Sequence, residues 1–411
     1  MKFSRTLLNS AAASMLALTS ASAIAADTDS LQQQIESLKA QNKIIMERLE
    51  TTADMIESGS SQSAGHNDDH GATDSLRDKT FGHHGNSGTT TIGGYGELHY
   101  NNTDSTNAVS MHRFILFMGH EFSDRIRFWS ELEVENSQAG DGMDGGEVAM
   151  EQAFLEFDLN DNHAVRAGIL LVPVGLINET HEPPTFYGVE RNNVEKYIIP
   201  TTWREGGISL TGRFGEAFSY DLAAHTGLKL ATDDTPATVY TVRDARKSAR
   251  KAPAQDPAYT ARIIWRGIAG LELGGAIQYQ RDVSQGEIAQ NAGSATLMEA
   301  HAVWQAGAAT VRALYAGWNI NGTGPATAGS DKQSGWYVEP SYKLSSKLGL
   351  FARQSGWDNA PNSGTNTENT QTDFGLNYWP HENVVVKVDY QIRDKAGTND
   401  DGFNLGVGYQ F

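Results

Sequence analysis

The chain has 411 residues, 32 Lys+Arg against 50 Asp+Glu, a net charge of −18, no Cys, 42 Gly and a mean hydropathy of −0.44. Without Cys there is no disulfide scaffold, zinc ribbon or cysteine nucleophile, and so acidic a chain makes a poor partner for nucleic acid. Past the first thirty residues no run reaches the roughly 18 apolar residues of a spanning helix, and the Gly content with short aromatic and β-branched runs leaves mostly β structure, soluble or in an outer membrane.

Lys2 and Arg5 precede an apolar stretch from Leu7 to Leu18, and Ala23-Ile24-Ala25 is a small-x-small site, so residues 1–25 read as a secretory signal cleaved after Ala25. Residues 26–58 read as a periplasmic coiled coil. Leu31, Ile35, Leu38, Asn42, Ile45, Leu49, Thr52 and Ile56 are spaced alternately by four and three, with a polar Asn42 at an a position that fixes register. Self-association would bury this seam, as would packing on the same subunit; the heptads do not choose between dimer and trimer. Residues 59–89 are a Gly/Ser/His/Asp/Asn tether. Within it His66, His70, His83 and His84 offer imidazoles to Zn²⁺ or Cu²⁺, but a flexible spacer does not hold them in a fixed geometry.

From Thr90 the pattern changes to short alternating segments separated by Gly/Asn/Asp/Ser clusters. Sixteen are expected, near 90–101, 110–121, 124–136, 147–159, 163–172, 203–214, 216–227, 257–266, 270–283, 295–305, 308–320, 334–344, 346–357, 371–379, 383–394 and 402–411. In the last, Phe403, Leu405, Val407, Tyr409 and Phe411 face one way and Asn404, Gly406, Gly408 and Gln410 the other. Tight turns such as Asn160-Asp161-Asn162 and Ala306-Gly307 alternate with longer polar loops, an asymmetry typical of outer-membrane barrels. Tyr100, Trp265, Trp304, Trp336, Tyr342 and Tyr409 would supply aromatic girdles. The fold class is therefore all-β: a sixteen-stranded antiparallel transmembrane β-barrel over 90–411, with an N-terminal coiled-coil helix. At this strand number the lumen is expected to hold water.

The segments Ile92-Gly93-Gly94-Tyr95-Gly96-Glu97-Leu98-His99-Tyr100 and Arg166-Ala167-Gly168-Ile169-Leu170-Leu171-Val172-Pro173-Val174-Gly175, with the terminal Phe411, resemble the phosphate-selective porin O and P family over the barrel portion. The resemblance implies a homotrimeric channel in the outer membrane of a Gram-negative bacterium, with its third long loop folded inward as a constriction. It implies no cofactor. Implied partners are outer-membrane lipid, lipopolysaccharide and the barrel-assembly machinery that reads the terminal strand.

Counted from the strands, that third loop is 173–202. Its Leu176, Ile177, Phe186, Tyr187, Val194, Ile198 and Ile199 need burial, against the inner wall, as a lid over the mouth or in a subunit contact. Packed on the wall, it would turn Glu179, His181, Glu182, Tyr187, Glu190, Arg191, Glu195 and Lys196 toward the aperture. Strand parity aims Arg125, Arg127, Arg166, Arg213, Arg262, Arg266, Arg353 and Arg393 into the lumen, but Glu131, Glu133, Glu156, Asp389 and other acids share that face. A phosphate-selective pore needs a cationic ladder, and this loop carries four acidic against two basic residues. The basic concentration lies in the fourth long loop, at Arg243, Arg246, Lys247, Arg250 and Lys251, expected as an external cluster that gathers anions at the mouth or is a solvated face or lipopolysaccharide contact. His112, His225 and His301 belong to no paired acid–base motif, so no enzyme is read. The expected function is passive diffusion of small hydrophilic solutes or ions, anions such as phosphate included. The alternative is a structural tether or adhesin that works through the coiled coil.

Overall fold

A computed structural model describes residues 88–137, 146–230, 240–287 and 291–411. The signal segment, the coiled coil, and the linker with His66, His70, His83 and His84 lie outside the described residues.

Alternating apolar and polar residues suit a sheet with two different solvents, and every such run forms a strand. In chain order these are β1 (Thr90–Thr103), β2 (Asn107–Ser123), β3 (Ile126–Glu135), β4 (Val148–Asn160), β5 (His163–Leu171), β6 (Arg204–Phe214), β7 (Phe218–His225) and β8 (Ala258–Ile268). There follow β9 (Leu271–Gln280), β10 (Ala295–Ala306), β11 (Ala309–Ile320), β12 (Lys332–Ser345), β13 (Leu348–Asp358), β14 (Asn369–His381), β15 (Val384–Lys395) and β16 (Gly402–Gln410). A two-residue pairing at Thr398–Asn399 extends the β15 hairpin without adding a wall strand. Each strand pairs antiparallel with its chain neighbours, and β1 pairs with β16 from Tyr95 opposite Gln410 to Thr103 opposite Gly402. Phe411 completes the seam by exchanging main-chain hydrogen bonds of 2.9 Å with Gly94 in both directions. The sheet has no free edge, which is the condition for burying backbone in lipid.

The outer face is apolar and open. Leu116, Met118, Leu155, Ile208, Leu222, Ile277, Val386, Tyr390, Leu405 and Val407 are all exposed there, beside Trp304, Trp336 and Tyr342. So continuous an apolar surface needs hydrocarbon against it. The inner face carries the opposite parity: on β3 Arg127, Glu131 and Glu133 are buried, and on β15 Lys387, Asp389 and Gln391.

Connections at one end are two- or three-residue turns. Gly215 (φ 60°) and Gly307 (φ 59°) take the left-handed conformation that closes such hairpins without a Cβ clash. Connections at the other end are longer, except the first. There the strands run on to Thr103 and Asn107, and a three-residue turn closes with Thr103 N–H donating to Thr106 O at 2.7 Å. Among the described residues two short α-helices lie in loops: α1 (Val194–Tyr197) in the third and α2 (Thr323–Ala328) in the sixth.

The lumen departs from the expected water-filled tube. Its largest apolar cluster lies inside the barrel, where Val194, Ile198, Ile199 and Trp203 of the third loop and Leu228, Leu230, Tyr240 and Val242 of the fourth pack on inward Leu297, Leu314, Trp318, Tyr337 and Trp357. A wall that is apolar on its inner face is unstable against water, so the loops fill that side.

Candidate pore constriction

The third loop, 172–203, begins as a closed neck. Val172 N–H donates to Trp203 O at 2.9 Å. The buried Asn178 amide spans the neck, donating to Val172 O (2.8 Å) and Trp203 O (3.1 Å) and accepting from Trp203 N–H (2.7 Å). From there the chain winds around the inner wall. Asn377 Nδ2 donates to Phe186 O (3.0 Å), Asp389 accepts from Val189 N–H (2.6 Å), and Asn193 Nδ2 donates to Gln371 Oε1 (2.7 Å). Tyr187 is buried with Phe351, Trp379 and Val385. Missing side chains make the track: a Cβ on Gly408 would stand 2.2 Å from Pro183 Cβ, and one on Gly349 2.3 Å from the Tyr187 hydroxyl.

Glu195, at the start of α1, ties the two arms of the loop to the wall. Its Oε2 accepts from Leu176 N–H (2.9 Å) and Ile177 N–H (2.7 Å), and its Oε1 accepts from Tyr337 O–H (2.8 Å) and Asn192 Nδ2 (3.3 Å). Burial raises this carboxyl above its ordinary range, and the donors offset only part of that rise. At Glu190 burial acts the same way, but His99, His112 and Lys196 overcome it and hold the carboxyl well below the usual range. Glu190 Oε1 meets His99 Nδ1 at 3.0 Å and Asn101 Nδ2 at 3.1 Å.

Two cavities border the loop. One of about 340 Å³, toward the long-loop end, is lined by Glu97, Arg113, Glu133 and Arg204 from the strand side and by Glu190, Arg191, Lys196, Arg243 and Arg246 from the two loops. The other, of about 290 Å³, lies toward the short turns beside Glu179, Arg262, Arg266 and Glu272.

The eight loop residues expected at the aperture therefore divide. Glu190, Arg191, Glu195 and Lys196 border the first cavity, with the Glu195 carboxylate fully engaged, and Glu179 borders the second, paired with Arg262. His181, Glu182 and Tyr187 border neither: they are buried against the wall, because the loop lies flat on it rather than hanging into the lumen. Burial and Arg191 push the His181 imidazole down, but contacts with Glu131 and Glu151 prevail and raise it to about 9.

The expected lumen arginines are mostly neutralised. Arg127 pairs with Glu156 (2.8 Å) and Asp158, Arg166 with Glu156 (2.7 Å), and Arg262 with Asp221 (2.6 Å) and Glu179. Arg266 donates to Glu272 (2.8 Å), Arg353 sits between Asp373 (3.0 Å) and Glu339 (3.2 Å), and Arg393 lies 3.8 Å from Asp400. Arg213 is exposed at the short-turn rim. Arg125 is a correction: β3 starts at Ile126, one residue later than the inward assignment requires, so Arg125 stands exposed in the turn.

The fourth loop is also corrected. Its basic cluster is no free external patch, because Leu228, Leu230, Tyr240, Val242 and Ala245 draw the segment into the lumen. Arg243 donates to Lys196 O (3.0 Å) and covers the Tyr197 ring, and Arg246 donates to Thr201 O (3.1 Å) and Thr202 O (3.2 Å). Lys247 is half-buried, and only Arg250 and Lys251 are exposed. Burial, then Arg243 and Arg204, lower Arg246 to about 10, which leaves it charged at neutral pH. The missed signal was the apolar spacing around the cluster. Strands β10 and β11 carried a second, with apolar residues on both faces at Leu297/Met298 and Leu314/Tyr315.

A closed sixteen-stranded sheet with an apolar exterior and a charged, loop-narrowed interior defines a transmembrane β-barrel of the porin class. The sequence profile of the family described as phosphate-selective porin O and P matches residues 93–404, and the chain belongs to that family of outer-membrane porins. It is 30% identical over 359 residues to an uncharacterized protein of Aquifex aeolicus (strain VF5), covering 78% of this chain and 79% of that one. Among solved structures, the outer membrane channel DcaP of Acinetobacter baumannii superposes with a TM-score of 0.56 at 14% identity, covering 79% of this chain and 98% of that one. The anion-selective porin from Comamonas acidovorans gives 0.54 at 11%, with 79% and 100% covered. The trimer form of OmpT of Vibrio cholerae gives 0.53 at 10%, with 79% and 100% covered. These likenesses concern the fold.

Proposed function

We propose that the protein is a passive diffusion channel for small hydrophilic solutes and ions, anions such as phosphate included, in which the third loop is the constriction and the fourth lends it cationic groups. The observation that carries this reading is the cavity of about 340 Å³, whose lining mixes Glu97, Glu133, Glu135, Glu147 and Glu190 with Arg113 and Arg204 of the strands and Arg191, Lys196, Arg243 and Arg246 of the loops. Charges of both signs interleaved in one lining largely cancel, so the channel passes both signs with weak preference. Zero-current potentials in a salt gradient test this: near-zero values support it, and strong selectivity for either sign refutes it.

An anion-specific reading rests on the four loop cations. Arg243 and Arg246 donate to main-chain carbonyls and Arg191 to Thr202 Oγ1 and His181 O, and among the described residues none of the four is within 4.0 Å of a carboxylate. Chloride conductance that inorganic phosphate saturates and blocks would favour it. The assembly is proposed to be a homotrimer in lipid and lipopolysaccharide, inserted by the barrel-assembly machinery through the strand ending at Phe411. A monomer on analytical ultracentrifugation of the full chain would refute the trimer.

A further inference from the structure

Three ligand-type side chains meet where the third loop leaves its neck. Glu131 on β3, Glu151 on β4 and His181 on the loop are each 3% exposed or less. His181 Nε2 lies 3.6 Å from Glu131 Oε1 and 3.5 Å from Glu151 Oε2, and the three ligand atoms are within 4.8 Å of one another. Neither Glu151 oxygen has a hydrogen-bond partner, and nor has His181 Nε2. The remote atoms, by contrast, are held. His181 Nδ1 meets Asn178 O at 2.9 Å, which directs Nε2 at the carboxylates, and Gln152 Nε2 donates to Glu131 Oε2 at 2.6 Å. Ligands supported from behind that face one another in front without a hydrogen bond suit a metal shell.

Ligand type, more than spacing, indicates which metal. Bonds of about 2.0–2.1 Å in a tetrahedron put ligand atoms about 3.3–3.4 Å apart, close to the two separations from His181 Nε2. An octahedral Mg²⁺ site at similar bond lengths needs edges of about 2.9 Å and mostly oxygen ligands. One imidazole with two carboxylates suits Zn²⁺, and two carboxylates balance a dication. Arg204 Nη1, 3.6 Å from Glu151 Oε1, orients that carboxylate so that Oε2 faces His181. Glu151 also borders the cavity of about 340 Å³, which provides an entry path and a water for the fourth position.

We propose that Glu131, Glu151 and His181 bind one Zn²⁺-type divalent cation, which clamps the neck of the third loop to the β3–β4 wall. Binding displaces the proton between His181 and the carboxylates. The neighbouring group of His99, His112 and Glu190 is less suited. Both His99 nitrogens are engaged, by Glu97 at 3.1 Å and Glu190 at 3.0 Å, and His112 Nε2 is met by Arg113 at 2.8 Å.

The test uses the full chain with His66, His70, His83 and His84 all changed to Ala, stripped with chelator and titrated with Zn²⁺ against a chromogenic competitor. One tight equivalent per chain is expected, weakened about 100-fold or more by adding Glu151→Gln or His181→Gln. Absence of tight binding after the linker substitutions, or unchanged affinity in both added variants, overturns the proposal. Co²⁺ loading of the linker variant gives a readout that does not depend on the added variants folding. An intense four-coordinate visible spectrum supports the site, and a pale octahedral one overturns it.

Discussion

Glu195→Ala should loosen the third loop without unfolding the barrel. The carboxylate accepts four hydrogen bonds, from Leu176 N–H, Ile177 N–H, Tyr337 O–H and Asn192 Nδ2, and truncation strands all four donors. Water from the adjoining cavity can reach the gap, so the low end of the usual penalty, about 1 kcal/mol per donor, is appropriate. The total is about 4 kcal/mol, close to a thousandfold shift toward a released arm at 175–180. Tyr337→Phe removes one donor and should shift the same equilibrium about tenfold. Glu195→Gln should fall between, because its amide placed toward Tyr337 can donate to a rotated phenol oxygen, while Asn192 Nδ2 still faces a donor. Single-channel recording in planar bilayers reads the result as larger, noisier conductance in the order Ala, Gln, Phe, with far-UV circular dichroism as the barrel control. A Glu195→Ala channel with wild-type conductance and noise would refute the assignment of Glu195 as the staple of a constricting loop.

Arg243→Ala with Arg246→Ala should move the zero-current potential toward cation preference and keep that shift at physiological salt, because partly buried charges are poorly screened; Arg250→Ala with Lys251→Ala should act only in dilute salt. Trp318→Ala removes a buried ring that also donates to Ile198 O at 2.8 Å, and should cost about 3–5 kcal/mol of loop docking, read as a wider solute cut-off in vesicle swelling. Gly408→Ala should push the Pro183 turn off the wall and change conductance, while Gly307→Ala, strained by its left-handed φ but in open space, should cost turn stability and leave conductance unchanged. Acid should release the loop from β1: the Glu190 carboxyl is held low, so its contribution is complete above the ordinary carboxylate range and is lost as pH falls below it, seen as open-channel noise that rises below about pH 4 in wild type and not in Glu190→Gln.

The sixteen strands were legible because alternation along a strand is a local property, and lipid outside with polar groups inside writes it directly into Phe403-Asn404-Leu405 and Val386-Lys387-Val388. Local boundaries carried a residue or two of error, enough to misplace Arg125 where parity depends on the first residue of β3. The length and apolar content of 173–202 also showed that this loop needs a surface to bury against, but not which one. Here the alternation rule ends. Parity says that Arg127, Arg262 and Arg353 point inward and is silent on partners, since the carboxylates that neutralise them come from other strands and from the loop: Glu156, Asp221, Glu179, Asp373 and Glu339.

By itself, then, the sequence determined the barrel, its strand count and the two chemistries of its faces, because each follows from residues next to one another in the chain. Only the tertiary structure decided that the third and fourth loops share an apolar core inside the lumen, that Arg243 and Arg246 line a cavity between the loops and the wall, and that Glu131, Glu151 and His181 converge. Those outcomes depend on contacts between residues dozens to hundreds of positions apart, such as Gln333 with Tyr240 or Tyr337 with Glu195, and it is ring closure that brings them within reach.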